Sequence, residues 1–325
     1  MRKINLLLIV ALLFGSFSVN AQKSTKLKSG MNKVAFKSEG LKLVGNLFIP
    51  ENFKDGEKFP AIVIATPGGG IKEQTAGIYA EKLSKKGFIT LVYDGRTYGE
   101  SEGEPRATEE AYWKIADIHS AISYLGTLKE VDNTKIYGLG VCAGGGYMTA
   151  AASTDRRMPK IATVSAYFDQ REMMIMALGK DVVVGLTNYA GIARQKYYET
   201  GEMMKMPMFE ADETKRVSQL QKESCEYYLT DRGNHPNFCQ NQFSMATSIW
   251  SFSAFDYAKL VSPTPLLTIV GSRAESAYQT HRMLELIDDK ETTELFTVEG
   301  ASHIDLYDKD KYVNQAVDKI ALFFK

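Results

Sequence analysis

The patterned part of the chain opens on an alternation. Val34, Phe36, Leu41, Leu43 and Leu47 put apolar side chains at alternate positions on both sides of Gly40, which predicts a β-hairpin over 33–49. Four short apolar runs follow, at 61–65, 88–93, 136–141 and 161–166. They are too short for buried helices, and each predicts a buried strand. Between them the period changes. Ala76, Tyr79, Ala80 and Leu83 fall on one helical face, with Gly87 as a stop. Ile115, Ile118, Ile122 and Leu125 do the same within a helix over 109–127, and 143–153 is a helix of small residues. Strands alternating with helices predict an α/β fold, a mostly parallel doubly wound sheet with helices on both faces.

The rhythm breaks after Ala166. Residues 167–256 are rich in methionine, tyrosine and charge, with helical patches and no clear strand. It resumes with strands at 265–270 and 295–298 and helices at 276–288 and 310–324. The expected organisation is one core, 22–166 with 257–325, interrupted by a helical lid insertion at 167–256. Such an insertion sits over the carboxyl ends of the strands, where open α/β sheets bind ligands.

Residues 1–21 have a different pattern. Arg2 and Lys3 precede an apolar run at 6–14, and Val19-Asn20-Ala21 ends in a small residue. This predicts a secretory signal peptide cut near Ala21 and a periplasmic or secreted protein. The run is too short to cross a bilayer core of ~30 Å, so no stable membrane anchor is expected. Lys+Arg and Asp+Glu number 39 each, a balance that gives nucleic acid or an anionic membrane no electrostatic hold. Export also affects the three cysteines, because an odd count in an oxidising compartment leaves a free thiol. Either Cys225 and Cys239 pair and leave Cys142 over, or all three are unpaired and buried.

Gly140-Val141-Cys142-Ala143-Gly144 joins a predicted strand to a predicted helix. It reads as a nucleophile elbow with cysteine in place of the commoner serine, and the strained turn requires small neighbours. The helix N-terminus behind the sulfur is expected to lower the thiol pKa from a free value of about 8.5. Thr66-Pro67-Gly68-Gly69-Gly70 follows an earlier strand. Its backbone at Gly68 or Gly69, with that of Ala143, forms the expected oxyanion hole. Of the four histidines, His303 lies after the last strand, where the base of such a fold belongs. The third member is expected after the preceding strand, in 271–276, where Glu275 is the only carboxylate; Asp169 is the rival. Tyr98 and His235 are candidate substrate contacts. No CxxC or HExxH spacing occurs, so no metal or organic cofactor is implied.

These motifs give the chain a resemblance to the dienelactone-hydrolase-like branch of the α/β-hydrolases. Within it the chain is similar to a bacterial group with fungal relatives described as polyketide transferases. The resemblance rests on 67–77, Cys142-Ala143-Gly144-Gly145-Gly146-Tyr147, Arg232-Gly233-Asn234-His235-Pro236-Asn237 and His303-Ile304-Asp305-Leu306-Tyr307-Asp308. It implies a Cys–His–acid triad and acyl chemistry on a small carbonyl substrate. The chain departs from the family twice. Its acid is glutamate where aspartate is common, and Thr66 replaces a first-loop histidine. The seven methionines between Met173 and Met208, with Tyr197, Tyr198, Tyr227 and Tyr228, suggest a lid over an apolar or aromatic acyl group. Hydrolysis, acyl transfer and non-catalytic ligand binding all fit this reading.

Overall fold

The computed structural model describes residues 27–54, 56–243 and 248–325. The signal-peptide expectation therefore lies outside the described residues. β1 (Gly30–Ser38) and β2 (Leu41–Ile49) form the predicted antiparallel hairpin. β3 (Phe59–Ala65), β4 (Ile89–Tyr93), β5 (Val131–Val141) and β6 (Ile161–Val164) follow, separated by α1 (Thr75–Ser84), α2 (Ala111–Gly126) and α3 (Ala143–Thr154). β9 (Leu266–Gly271), α9 (Ala277–Leu286), β10 (Thr293–Val298), α10 (Asp305–Asp308) and α11 (Asp310–Phe324) complete the core.

The eight strands run in the order β1-β2-β4-β3-β5-β6-β9-β10. Only the pairings of β2 with β1 and with β4 are antiparallel. This is the α/β-hydrolase fold. β4 and β6 are buried at every position, because helices cover both faces of a parallel sheet. α1 and α11 pack together, and Tyr137 stacks on Phe324 at 4.6 Å beneath them. α2 and α3 form the opposite layer.

Between β6 and β9 lie α4 (Gln170–Leu178), α5 (Lys180–Thr200), β7 (Lys205–Pro207), α6 (Gln219–Tyr228), β8 (Asn241–Phe243), α7 (Ser248–Ser251) and α8 (Ala258–Val261). β7 and β8 are strands that sequence did not predict. At three residues each they are shorter than any alternation that could announce them. This segment docks on the core by long-range polar contacts. Gln74 Nε2 donates to Gly233 O at 2.6 Å, and Arg232 pairs with Asp308 at 2.7 Å. α5 stands away from the core, leaving Val182, Val184, Ile192 and Tyr198 exposed.

Candidate active site

Cys142 adopts φ 55° and ψ −123°, a conformation that an L-residue takes only at a cost of about 1–3 kcal/mol. Three hydrogen bonds hold it there. Its N–H donates to Val164 O at 3.0 Å, and its carbonyl accepts from Gly145 N at 2.9 Å and Tyr167 N at 2.8 Å. α3 can begin directly after it because three glycines follow Ala143 in its first turn. A Cβ on Gly145 would lie 2.5 Å from Ala166 Cβ, and one on Gly144 2.6 Å from Thr66 O. The elbow is thus a consequence of the glycine-rich sequence.

Hydrogen bonding by the Tyr307 hydroxyl and the Ala143 and Gly68 amides favours the Cys142 thiolate. Burial nevertheless dominates and pushes the Cys142 thiol up to about 11. The expected lowering by the helix N-terminus does not prevail, because desolvation of a thiolate outweighs three hydrogen bonds here. Burial likewise pulls His303 down to about 3. The pair therefore rests as neutral thiol and neutral imidazole at pH 7.

His303 is positioned by its own loop. Asp305 Oδ2 accepts from Ser302 N, the Ser302 hydroxyl accepts from Asp305 N, and the His303 carbonyl accepts from the Ser165 hydroxyl. Nε2 lies 3.3 Å from the Tyr307 hydroxyl, and Nδ1 lies 2.7 Å from Ser276 Oγ. The expectation for Glu275 needs correction at this point. Its carboxylate is exposed and accepts from Gln219 N and Leu220 N at 3.3 and 3.0 Å, capping α6. Asp169 does not replace it. That carboxylate caps α4 through Glu172 N at 2.9 Å and pairs with Arg171 at 2.9 Å. Ser276, the neighbour of Glu275, holds the histidine instead. Choice by residue type favours the carboxylate, but the turn at the start of α9 directs residue 276 inward and 275 outward.

This arrangement separates two substitutions. Glu275→Gln is expected to leave turnover within about twofold, since it loses only an exposed cap. Ser276→Ala is expected to lower kcat roughly tenfold, the equivalent of one hydrogen bond of about 1.4 kcal/mol. Steady-state kinetics of both variants on one substrate check the pair of outcomes.

The oxyanion loop has a buried partner that sequence reading missed. Glu109 Oε2 accepts from Gly69 N at 3.2 Å, and Oε1 accepts from the Tyr147 hydroxyl at 3.0 Å. Lys114 Nζ lies 3.4 Å from Glu109 and 4.1 Å from the centre of the Tyr98 ring. Tyr98 is buried, and its hydroxyl donates to Gln242 Oε1 at 2.7 Å. It thus ties the loop after β4 to β8. A Cβ on Gly69 would meet Gln242 Nε2 and Met208 Sδ at 3.2 Å, so the segment carrying β7 and β8 lies directly on the oxyanion loop. His235 serves its own turn, accepting from Asn237 N at 3.1 Å. Nothing in the sequence pattern around Glu109 distinguishes it from a helix-flanking surface glutamate.

Aromatic side chains enclose the sulfur and imidazole. Tyr167 packs on His303 at 4.8 Å, and Tyr307 contacts Tyr227 and Tyr228. Phe209 and Phe238 stack on Tyr228. Of the residues in the expected methionine-tyrosine lid, Met208, Tyr227 and Tyr228 belong here, whereas Met176 and Tyr198 face solvent. Cys142, Cys225 and Cys239 are all unpaired thiols.

The fold matches known proteins. The pattern of the X-Pro dipeptidyl-peptidase (S15) family matches residues 39–241, more than half the chain. The chain belongs to this family of α/β-hydrolases. An uncharacterized protein, YcjY of Escherichia coli, is 34% identical over 304 residues, covering 90% of this chain and 98% of YcjY. PA2218 of Pseudomonas aeruginosa, a hypothetical protein of known crystal structure, superposes with a TM-score of 0.82 at 30% identity, covering 92% of this chain and 94% of that one. The polyketide transferase claH of Penicillium crustosum is 33% identical over 135 residues, which is 41% of this chain and 43% of claH.

Proposed function

We propose that the protein is an acyl hydrolase acting on an ester, lactone or thioester carbonyl, with Cys142 as nucleophile and His303 as base. One observation carries this reading. The strained Cys142 presents its sulfur to the Ala143 and Gly68 amides, the two donors that a carbonyl oxygen needs as it gathers negative charge. In this reaction His303 takes the thiol proton and the sulfur attacks the carbonyl carbon. The two amides hold the oxyanion, and each such donor typically contributes ~2.7–4 kcal/mol to the transition state. The leaving group departs with the proton, and water then releases the acyl group from sulfur.

The aromatic enclosure favours an apolar or aromatic acyl group of a small molecule. The motifs around Cys142 and His303 favour a place near the dienelactone-hydrolase-like branch, and residues 1–21 favour export. Peptide hydrolysis, which the family description raises, has less support. A peptidase of that kind must bind a substrate amine, and Glu109, the carboxylate beside the oxyanion loop, is already paired with Lys114.

The test is a panel of p-nitrophenyl esters and thioesters of graded acyl length, with an Xaa-Pro anilide beside them. Ester or thioester turnover that depends on Cys142 supports the proposal. Turnover of the anilide alone refutes it. Acyl transfer is the second reading, favoured by the burial of Cys142 and His303, which restricts water, and by the likeness to claH. Adding an alcohol or amine acceptor separates the two. Acylated acceptor in place of free acid decides for transfer.

The pH dependence of Cys142 reactivity provides a further check. With the thiol at about 11, alkylation by iodoacetamide is expected to rise about tenfold per pH unit from pH 7 towards pH 10. A preformed thiolate–imidazolium pair would instead give a rate that is flat across that range. Mass-spectrometric counting of Cys142 adducts against pH distinguishes the two.

A further inference from the structure

The two segments that supply the oxyanion donors meet at one carboxylate. Glu109 Oε2 accepts from Gly69 N at 3.2 Å, in the loop that carries Gly68. Glu109 Oε1 accepts from the Tyr147 hydroxyl at 3.0 Å, on the helix that begins with Ala143. Gln170 Nε2 donates to the same hydroxyl at 2.5 Å, so the tyrosine proton is directed to Glu109. Glu109 and Tyr147 are both buried, and water does not compete for these bonds. The loop alone is less constrained. Gly70 N donates to Pro67 O at 2.9 Å and Gly69 has φ 66°, the pattern of a type II turn. Rotating the 68–69 peptide converts it to a type I turn, and glycine at both central positions lets either form occur. That rotation would turn the Gly68 carbonyl oxygen, in place of the Gly69 N–H, towards the Glu109 carboxylate, which repels it.

We propose that Glu109 is a positioning residue that fixes the oxyanion hole, holding the loop in its type II form and at a set distance from α3. The Gly69 amide is buried and taken by this carboxylate, so it is not the donor that the loop offers to a substrate. Gly68 is half-buried, and a Cβ on it would lie 3.5 Å from Ala143 Cβ, which seats it beside the second donor. Lys114 Nζ, from α2, balances the buried charge at 3.4 Å. Glu109 acts through the backbone and not on the substrate. Its contribution appears only when a carbonyl oxygen gathers charge between the two amides, which is why it should affect acylation and not the nucleophile itself.

This inference rests on the acyl-hydrolase reading above, and the experiment separates the two levels. Two double variants remove the buried charge pair together, so neither leaves a lone buried ion. Glu109→Gln with Lys114→Met keeps an oxygen that can accept from Gly69 N. Glu109→Met with Lys114→Met has a side chain of similar length and no such acceptor. The methionine pair is expected to lose about 10- to 100-fold in kcat with little change in KM, and the glutamine pair to stay within about fivefold of wild type. Iodoacetamide alkylation of Cys142 builds no oxyanion, so it should not slow in either variant. Equal kcat in the two variants, or alkylation that falls as far as kcat, overturns the proposal. A second measurement uses the unaltered protein, so it does not depend on a variant folding. Exchange of the Gly69 amide, followed by NMR, should be slower than that of a free amide by about 100-fold or more; exchange at the free rate overturns the assignment. Turnover retained in Cys142→Ala would refute the nucleophile assignment instead, whatever the double variants do.

Discussion

Cys142→Ala is expected to reduce ester or thioester turnover by a factor on the order of 10⁴ to 10⁶, with the protein still folded. The range is that of an acyl-transfer nucleophile removed from an otherwise intact site, where the oxyanion donors and binding leave a small residue of catalysis. Alanine is the right replacement because the position is buried and crowded, and a smaller apolar side chain adds no new collision. It also releases no strain, since the positive φ at residue 142 is imposed by Val164, Gly145 and Tyr167 rather than by the thiol. Steady-state kinetics with a thermal melt provide the check. A Cys142→Ala protein with more than about a tenth of wild-type turnover would sink the cysteine mechanism.

The second large effect is on folding. Gly140 is the first residue of the elbow, and a Cβ there would lie 2.5 Å from Gly144 C and 2.6 Å from Gly145 Cα. Both atoms are backbone of the first turn of α3, so no side chain can move aside. Gly140→Ala must therefore push α3 off β5 or distort the elbow, at a cost of about 3 kcal/mol or more. Gly126→Ala is the matched control. It lies at the end of α2 with open space around its Cα, and is expected to be neutral or to stabilise by up to about 1 kcal/mol. Urea denaturation of the two variants measures the difference. Equal midpoints would show that the elbow is not packed as described.

The parts of the site legible in the sequence are those that the backbone imposes. Cys142, the following amide, the glycines after β3 and the histidine after β10 each sit at a fixed station of the strand–loop–helix order. Identifying the strands locates them. The partner of His303 follows a different logic. Residues 275 and 276 share a loop and differ only in which way the turn faces, and apolar periodicity carries no information on that. Tyr307 escaped for a related reason. On α10, a helix of four residues, its spacing from His303 reads as ordinary helix packing. Glu109 became meaningful only once folding placed it 3.2 Å from an amide 40 residues away in sequence.

By itself, then, the sequence determined the layered α/β architecture, the elbow and the loops that carry the reacting groups, because these follow from local period and from the space that glycine leaves. The tertiary structure decided the hydrogen-bond partners and the electrostatics. Ser276 rather than Glu275 meets the imidazole, and burial rather than the helix N-terminus governs the thiol. Both depend on contacts between segments distant in sequence and on how completely they exclude water, and neither is encoded in any single stretch of the chain.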